Sequence, residues 1–210
     1  MSGELSALLS ERARLAGVVI PAPLHAKLLA YYELLARWNR KINLTSLSNS
    51  EEAIDRLLLE PVAAAAHLSG RARLIDLGSG GGSPAIPLAL TLEASSLVMV
   101  ESRNRKAAFL RETARVVELS AVVEAVRFEE LESRSSYRGL MDLVSIRAVR
   151  MDAETLDLAG RFLTPSGVIA LFASAVPAEI PPLLQIAETV PLVGTALLVR
   201  LTRRDVPRGT

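Results

Sequence analysis

The first 70 residues carry apolar side chains at helical spacing. One stripe runs over Leu5–Leu15 and a longer one over Leu24–Ile42, each with charged residues on other faces. The polar residues Ser48–Ser50 then offer a cap for a third helix, in which Pro61 predicts a kink or a break because proline has no backbone N–H. The pattern therefore predicts an N-terminal helical cap over residues 1–70.

From residue 71 onward, short apolar runs alternate with helical stretches. Such alternation is typical of parallel strands covered by helices. The end of the chain differs, because Val190–Val193 and Ala196–Thr202 flank Gly194-Thr195 as in a hairpin. We expect residues 71–210 to form an α/β domain with a mostly parallel sheet and a C-terminal antiparallel hairpin. The apolar runs before the hairpin are Leu74–Leu77, Leu97–Val100, Val122–Val126, Met141–Ile146 and Val168–Phe172.

The composition narrows the class of protein. The chain has 24 Lys and Arg against 23 Asp and Glu, which excludes a strongly basic nucleic-acid binder. It has no cysteine, which excludes disulfides and thiolate metal ligands, and its two histidines lack metal-ligand spacing, so no metal site is predicted. The longest uncharged run, Thr164–Pro177, is ~14 residues, below the ~20 that span a bilayer. We expect a cytoplasmic monomer without membrane contact.

The most informative stretch follows the first predicted strand. Asp76 is followed by Gly78, Gly80 and Gly82, and then by Ser83-Pro84. Glycine allows positive φ and lets backbone N–H groups approach a ligand. Ser83 can cap the next helix, whose N-terminus favours an anionic group. The loop therefore predicts a cofactor site.

Two classes of cofactor use a strand, a glycine loop and a helix in this order. The dinucleotide fingerprint needs glycine or alanine where Ser83 stands, which argues against an NAD-dependent oxidoreductase without removing that alternative. The pattern D-x-G-x-G-x-G is satisfied fully and resembles motif I of class I S-adenosylmethionine-dependent methyltransferases. Glu101, which ends the second run, can accept bonds from both ribose hydroxyls. These residues favour S-adenosylmethionine as the cofactor.

Together with their flanks, these residues resemble one bacterial family. The stretch Trp38–Thr45 is similar to W-N-x-x-x-N-L-T, and Arg56 and the glycine loop follow in order. Further along, Arg127–Glu130 is similar to R-x-E-E and Ser145–Ala148 is similar to S-R-A. The ordered set resembles the small-subunit (16S) rRNA guanine-N7 methyltransferases, the RsmG or GidB family.

The resemblance implies a Rossmann-like class I methyltransferase fold, S-adenosylmethionine as cofactor, and 16S rRNA or the small ribosomal subunit as partner. With the motif, it assigns cofactor binding to Asp76, Gly78, Gly80, Gly82, Ser83, Glu101, Phe128, Glu129 and Arg147. The substrate candidates are Asn39, Asn43, Arg56, Arg105 and Lys106. No catalytic side chain is assigned, because guanine N7 has an in-plane lone pair and no proton to remove, so alignment of the reactants carries the reaction.

Three departures from the family pattern fall on the expected substrate side. The family's R-H, two hydrophobic residues and D-S are here Arg56–Pro61, with leucine for histidine and Glu-Pro for Asp-Ser. Ser83–Ala85 replaces a large apolar residue followed by Pro-Gly, and Ala173-Ser174 replaces Lys-Gly. These departures motivate an alternative hypothesis, namely a cofactor- or rRNA-binding module with little or no turnover.

Overall fold

A computed structural model describes residues 2–47, 50–133, 137–147 and 152–204. The predicted cap residues Ser48 and Asn49, and Ala148 of the S-R-A-like stretch, lie outside the described residues. The helices of the described chain are α1 (Ser2–Leu15), α2 (Ala22–Asn39), α3 (Ser50–Ile54), α4 (Glu60–Ala65), α5 (Ala85–Leu92), α6 (Asn104–Val116), α7 (Phe128–Ser133) and α8 (Ala153–Phe162).

The described strands form a seven-stranded sheet in the order β3-β2-β1-β4-β5-β7-β6. Strands β1 to β5 are parallel, and β7 runs antiparallel to both of its neighbours. The predicted fold class, a mostly parallel α/β sheet with a C-terminal hairpin, is thereby confirmed. The strands are β1 (Arg73–Leu77), β2 (Ser96–Val100), β3 (Ala121–Glu124), β4 (Met141–Arg147), β5 (Leu163–Ala173), β6 (Leu184–Pro191) and β7 (Leu197–Arg203).

The hairpin is longer than the apolar pattern predicts. Strand β6 begins at Leu184 instead of Val190 and forms the edge of the sheet. The polar residues Gln185, Glu188 and Thr189 interrupt the apolar positions of β6 before Val190, so no apolar run marks this part of the strand in the sequence. Strand β3 is also shorter than predicted, because it ends at Glu124 and not at Val126.

The interruption predicted at Pro61 takes the form of a wide helical turn. Between α3 and α4, residues Asp55–Leu59 form a π-helical turn, and the N–H of Glu60 donates to the carbonyl of Asp55. Pro61 then lies in the first turn of α4, where a missing N–H is tolerated. The helix therefore continues past the proline, and a single π turn of this kind is often found at a functional site.

The two faces of the sheet are covered by different helices. Leu74 packs with α1, α2, α5 and α6 in one apolar core, whereas the next residue, Ile75, packs with α8 in a second core on the opposite face. The N-terminal helices thus share a core with the sheet, and the division at residues 70 and 71 stays a prediction. In the part of the chain that the structure describes, no helix is long and apolar enough to traverse a membrane.

Candidate cofactor and substrate site

The glycine loop forms where the end of β1 meets the end of β2. The backbone N–H groups of Gly78 and Ser79 donate to the Val100 carbonyl at 3.0 and 2.9 Å. The φ angles of Gly78 and Gly80 are 77° and 51°, in the left-handed region that glycine adopts without strain. The strand order reverses between β1 and β4, so the loop stands at the crevice where open α/β sheets bind ligands.

Glu101 ties the loop to the end of β2. One of its carboxylate oxygens accepts the Gly80 N–H at 2.9 Å, and the other accepts the Arg103 N–H at 2.8 Å. The residue is buried yet lines the cleft above the loop. Each oxygen keeps a second lone pair, so both can still accept bonds from ribose hydroxyls.

Asp76 lies beneath the loop and not in the cleft. It is buried, and its carboxylate accepts the hydroxyl of Ser145 on β4 at 2.5 Å. Ser79 donates to the Asp76 backbone carbonyl at 3.2 Å. Burial raises the pKa of Asp76 to about 6, against the opposing serine bonds and the charge of Arg147. In this structure Asp76 therefore joins β1 to β4 directly under the glycine loop.

The cleft above the loop has a volume of ≈480 Å³ and is lined by Gly78, Gly80, Ser83, Glu101 and Arg147. A smaller cavity of ≈200 Å³ shares Gly78 and Glu101 with it and adds Phe128 and Glu129. Seven of the nine predicted cofactor residues thus line two adjoining cavities that share Gly78 and Glu101. Gly82 lines neither cavity, and a Cβ at this position would lie 2.6 Å from Cδ1 of Ile86.

Arg147 ends β4 and is held from several sides. Its Nη2 donates to the Glu60 carboxylate at 2.8 Å, and its Nη1 donates to the backbone carbonyl of Arg56. The guanidinium also lies over the Phe172 ring, 4.6 Å from the centroid. Burial lowers the pKa of Arg147 to about 10 and raises the pKa of Glu60 to about 7, because desolvation outweighs their mutual attraction.

Ser83 also contacts the π-helical turn. Its hydroxyl donates to the Leu57 carbonyl at 2.8 Å and lies 3.4 Å from Nη1 of Arg147. The prediction that Ser83 caps α5 is wrong, because the N-cap is Pro84 and no side chain caps this helix. A residue at position 61 would normally donate its N–H to the carbonyl of Leu57, four residues earlier, but Pro61 has no N–H. The Leu57 carbonyl is therefore available to a partner outside the helix. Ser83 is such a partner.

The helical cap holds the glycine loop through residues that belong to none of the sequence motifs. The Tyr31 hydroxyl, on α2, donates to the Gly81 carbonyl at 2.7 Å, and the tyrosine is fully buried. The Leu44 carbonyl lies 3.1 Å from where a Cβ at Gly81 would stand. Tyr31 belongs to an apolar stripe in the sequence and carries no motif, so no local pattern marked it as part of the site.

The predicted substrate residues separate into three groups. Arg56 and Lys106 line the cleft beside the loop. Asn39 instead organises the turn after α2, where its side-chain oxygen accepts the N–H groups of Leu44 and Thr45 at 2.8 and 3.0 Å. Asn43 is exposed on that turn, and Arg105 lines a separate cavity between α2 and α6.

The residues of the cleft fit S-adenosylmethionine. A Cβ at Gly80 would meet only the Gly78 carbonyl oxygen, at 3.7 Å, so the space above the loop is open. Glu101 offers acceptors for a ribose, and Phe128 lines the adjoining cavity. The sheet order, the glycine loop after β1 and the acidic residue after β2 define the fold of the class I S-adenosylmethionine-dependent methyltransferases.

Comparison with solved structures supports this fold. A mutant of MtNAS in complex with S-adenosylmethionine has a TM-score of 0.54 at 14% identity, over 94% of this chain and 72% of that one. TYW2 of M. jannaschii in complex with AdoMet has a TM-score of 0.51 at 15% identity, over 76% of this chain and 80% of that one.

Sequence comparison identifies the family. The family model GidB, rRNA small subunit methyltransferase G, matches residues 24–180. Ribosomal RNA small subunit methyltransferase G of Xylella fastidiosa is 39% identical over 153 residues, which cover 72% of this chain and 70% of that protein. The chain belongs to the GidB family and is an S-adenosylmethionine-dependent rRNA methyltransferase, as the motifs predicted. This result sets aside the NAD-dependent oxidoreductase.

Proposed function

We propose that the protein transfers the methyl group of S-adenosylmethionine to N7 of a guanine in 16S rRNA. The observation that carries the proposal is the arrangement of charged groups in the cleft. Glu101 accepts two backbone N–H groups, and Glu60 is paired with Arg147. Glu101 is the one carboxylate among the described residues that line the cleft above the loop, so this carboxylate and that of Glu60 behind Arg147 both have structural partners.

Such a cleft suits a nucleophile that needs no deprotonation. When bound, the cofactor supplies a methyl group already activated by a sulfonium. Guanine N7 brings its own lone pair, so the protein has to align the base and exclude water, and it has no proton to remove. Methylation of an exocyclic amine would require a proton acceptor beside the transferred methyl group.

The departures from the family pattern are compatible with turnover. Glu60 keeps a carboxylate at the place of the family's aspartate, and that carboxylate binds Arg147. The changes at Ser83 and Pro61 complement each other. Pro61 leaves the Leu57 carbonyl without a helical donor, and the Ser83 hydroxyl donates to that carbonyl instead. This supports an active enzyme over the rRNA-binding module considered above.

The test is a methyl-transfer assay with small ribosomal subunits and with protein-free 16S rRNA. The RNA is digested to nucleosides and analysed by mass spectrometry after incubation with isotope-labelled S-adenosylmethionine. We expect label in 7-methylguanosine. Label in another nucleoside or in ribosomal protein would overturn the N7 assignment, and its absence from every product would favour the binding module.

The remaining expectations are part of the same proposal. We propose a monomer with a helical cap over 1–70 and a cofactor-binding domain over 71–210, acting in the cytoplasm because its substrate class is ribosomal RNA. N7 lies on the edge of guanine that faces the narrow major groove of A-form RNA, so the target base should lie in a loop or be splayed from its stack. Light scattering at several concentrations tests the monomer.

A further inference from the structure

A second cavity, which we call the α2–α6 groove, lies beside the cofactor cleft. It has a volume of ≈690 Å³ and lies between the C-terminal end of α2 with its following turn and the part of α6 from Arg105 to Glu112. Its polar lining consists of Arg37, Trp38, Arg40, Lys41, Arg105 and Glu112. Lys106 lines the cofactor cleft and its neighbour Arg105 lines the groove, so the first turn of α6 separates the two cavities.

The groove concentrates positive charge that no salt bridge among the described residues neutralises. Elsewhere many arginines are paired, for example Arg12 with Asp55 and Arg73 with Asp142. Among the described residues, no anionic partner is found for the four cations of the groove: Arg37, Arg40, Lys41 and Arg105. Clustered like charges repel one another, and a polyanion lying among them removes that repulsion.

The tryptophan of the groove is held in place from inside the protein. The Trp38 ring meets Phe109 edge to face, with centroids 5.8 Å apart, and its indole N–H donates to Glu112 at 3.2 Å. Glu112 is the single carboxylate among the described residues that line the groove, and this bond directs it to the tryptophan. A fixed aromatic ring within a cationic groove is the combination that binds single-stranded nucleic acid, because bases stack on the ring and phosphates pair with the cations.

We infer that the α2–α6 groove binds the single-stranded RNA that flanks the target nucleotide. A base splayed into the cofactor cleft brings its neighbouring phosphates to the rim of that cleft. From there the strand passes the first turn of α6, from Lys106 to Arg105, and continues into the groove. The inference rests on the proposed function in one respect, namely that the substrate is 16S rRNA.

Counterion release gives the size of the effect. For single strands, the slope of log affinity against log salt is about −0.7 per phosphate contact. At ~0.1 M salt each contact is therefore worth about fivefold in affinity, and two contacts are worth about 25-fold. Loss of two contacts should also make the salt slope shallower by about 1.4.

The experiment removes one exposed cation from each wall of the groove in the full-length chain. The variant is Lys41→Ala/Arg105→Ala, and the charge-matched control is Arg14→Ala/Arg71→Ala, which removes two exposed cations elsewhere. Binding of protein-free 16S rRNA is measured by filter retention between ~50 and ~200 mM salt. Cofactor affinity is measured separately by calorimetry.

We expect the groove variant to bind 16S rRNA about 25-fold more weakly than the control at ~0.1 M salt, with unchanged cofactor affinity. Trp38 is the only tryptophan, so its fluorescence reports on the groove directly, and we expect RNA to quench it. Equal RNA affinity and salt slope in the two variants would overturn the inference. The binding assay involves no turnover, so a methyl group found on another atom would remove the N7 proposal and leave this one standing.

Discussion

Glu60→Gln tests how the cleft holds its arginine. The side chains of Glu60 and Arg147 are 9% and 7% exposed, and their 2.8 Å bond joins the π-helical region to the end of β4. Glutamine keeps nearly the same shape and an acceptor for Arg147, but it removes the negative charge. The substitution therefore isolates the titration of Glu60 from its packing.

The magnitude follows from the raised pKa of Glu60. Its folded-state pKa of about 7 lies above the ordinary value of 4.5, so the folded protein binds this proton more tightly than the unfolded chain does. The resulting stability is gained as the pH falls through 7 and lost as the pH rises through it. Between pH ~8 and ~6 the site changes from mostly ionised to mostly protonated, which is worth about 1 kcal/mol. In a chain of this size that shifts Tm by about 2–4 °C.

The assay is thermal unfolding of the wild type and Glu60→Gln at both pH values. We expect the wild type to gain about 2–4 °C more than the variant when the pH is lowered from ~8 to ~6. Asp76 is present in both proteins, so its own titration cancels in the comparison. Asp142→Asn serves as the control, because Arg73 lowers the pKa of Asp142 and this carboxylate stays ionised over the whole range. Parallel curves for wild type and Glu60→Gln would refute the idea that burial outweighs the attraction of Arg147.

Three further substitutions test the glycine loop and its supports. Tyr31→Phe removes the bond to the loop carbonyl and should weaken S-adenosylmethionine binding about fivefold, equivalent to ~1 kcal/mol, in calorimetry; wild-type affinity would show that the loop does not need α2. Gly80→Asp should abolish cofactor binding because it puts a charged side chain into the cleft. Gly17→Asp, at a similar φ of 66° in the turn that follows α1, should bind the cofactor normally. Ser83→Ala should lower Tm by about 2–4 °C, since the Leu57 carbonyl loses its partner and an unmade bond of this kind costs about 1 kcal/mol; an unchanged Tm would mean that water replaces the hydroxyl.

Some of the predicted cofactor residues have roles that local backbone geometry fixes, and others have roles that depend on distant parts of the chain. Gly78 and Gly80 were recognisable because a turn with positive φ leaves a glycine pattern in the sequence. Ser83 was expected to cap α5, but its hydroxyl bonds to Leu57 in a segment 26 residues away. Its spacing from the helix gave no indication of this partner. A hydroxyl near a helix start has several acceptors within reach once the chain is folded, and only the folded chain decides among them.

The sequence by itself determined the class of fold, the glycine loop, the position of Glu101 after β2 and the family. Periodicity and turn chemistry are properties of neighbouring residues, and the order of the motifs survives even where single positions have changed. The tertiary structure alone decided that Glu60 holds Arg147 across 87 residues and that Tyr31 holds Gly81 across 50. It also brought the cations of α2 and α6 together as one groove. Such contacts depend on which helices pack over which strands, and no pattern of neighbouring residues encodes that.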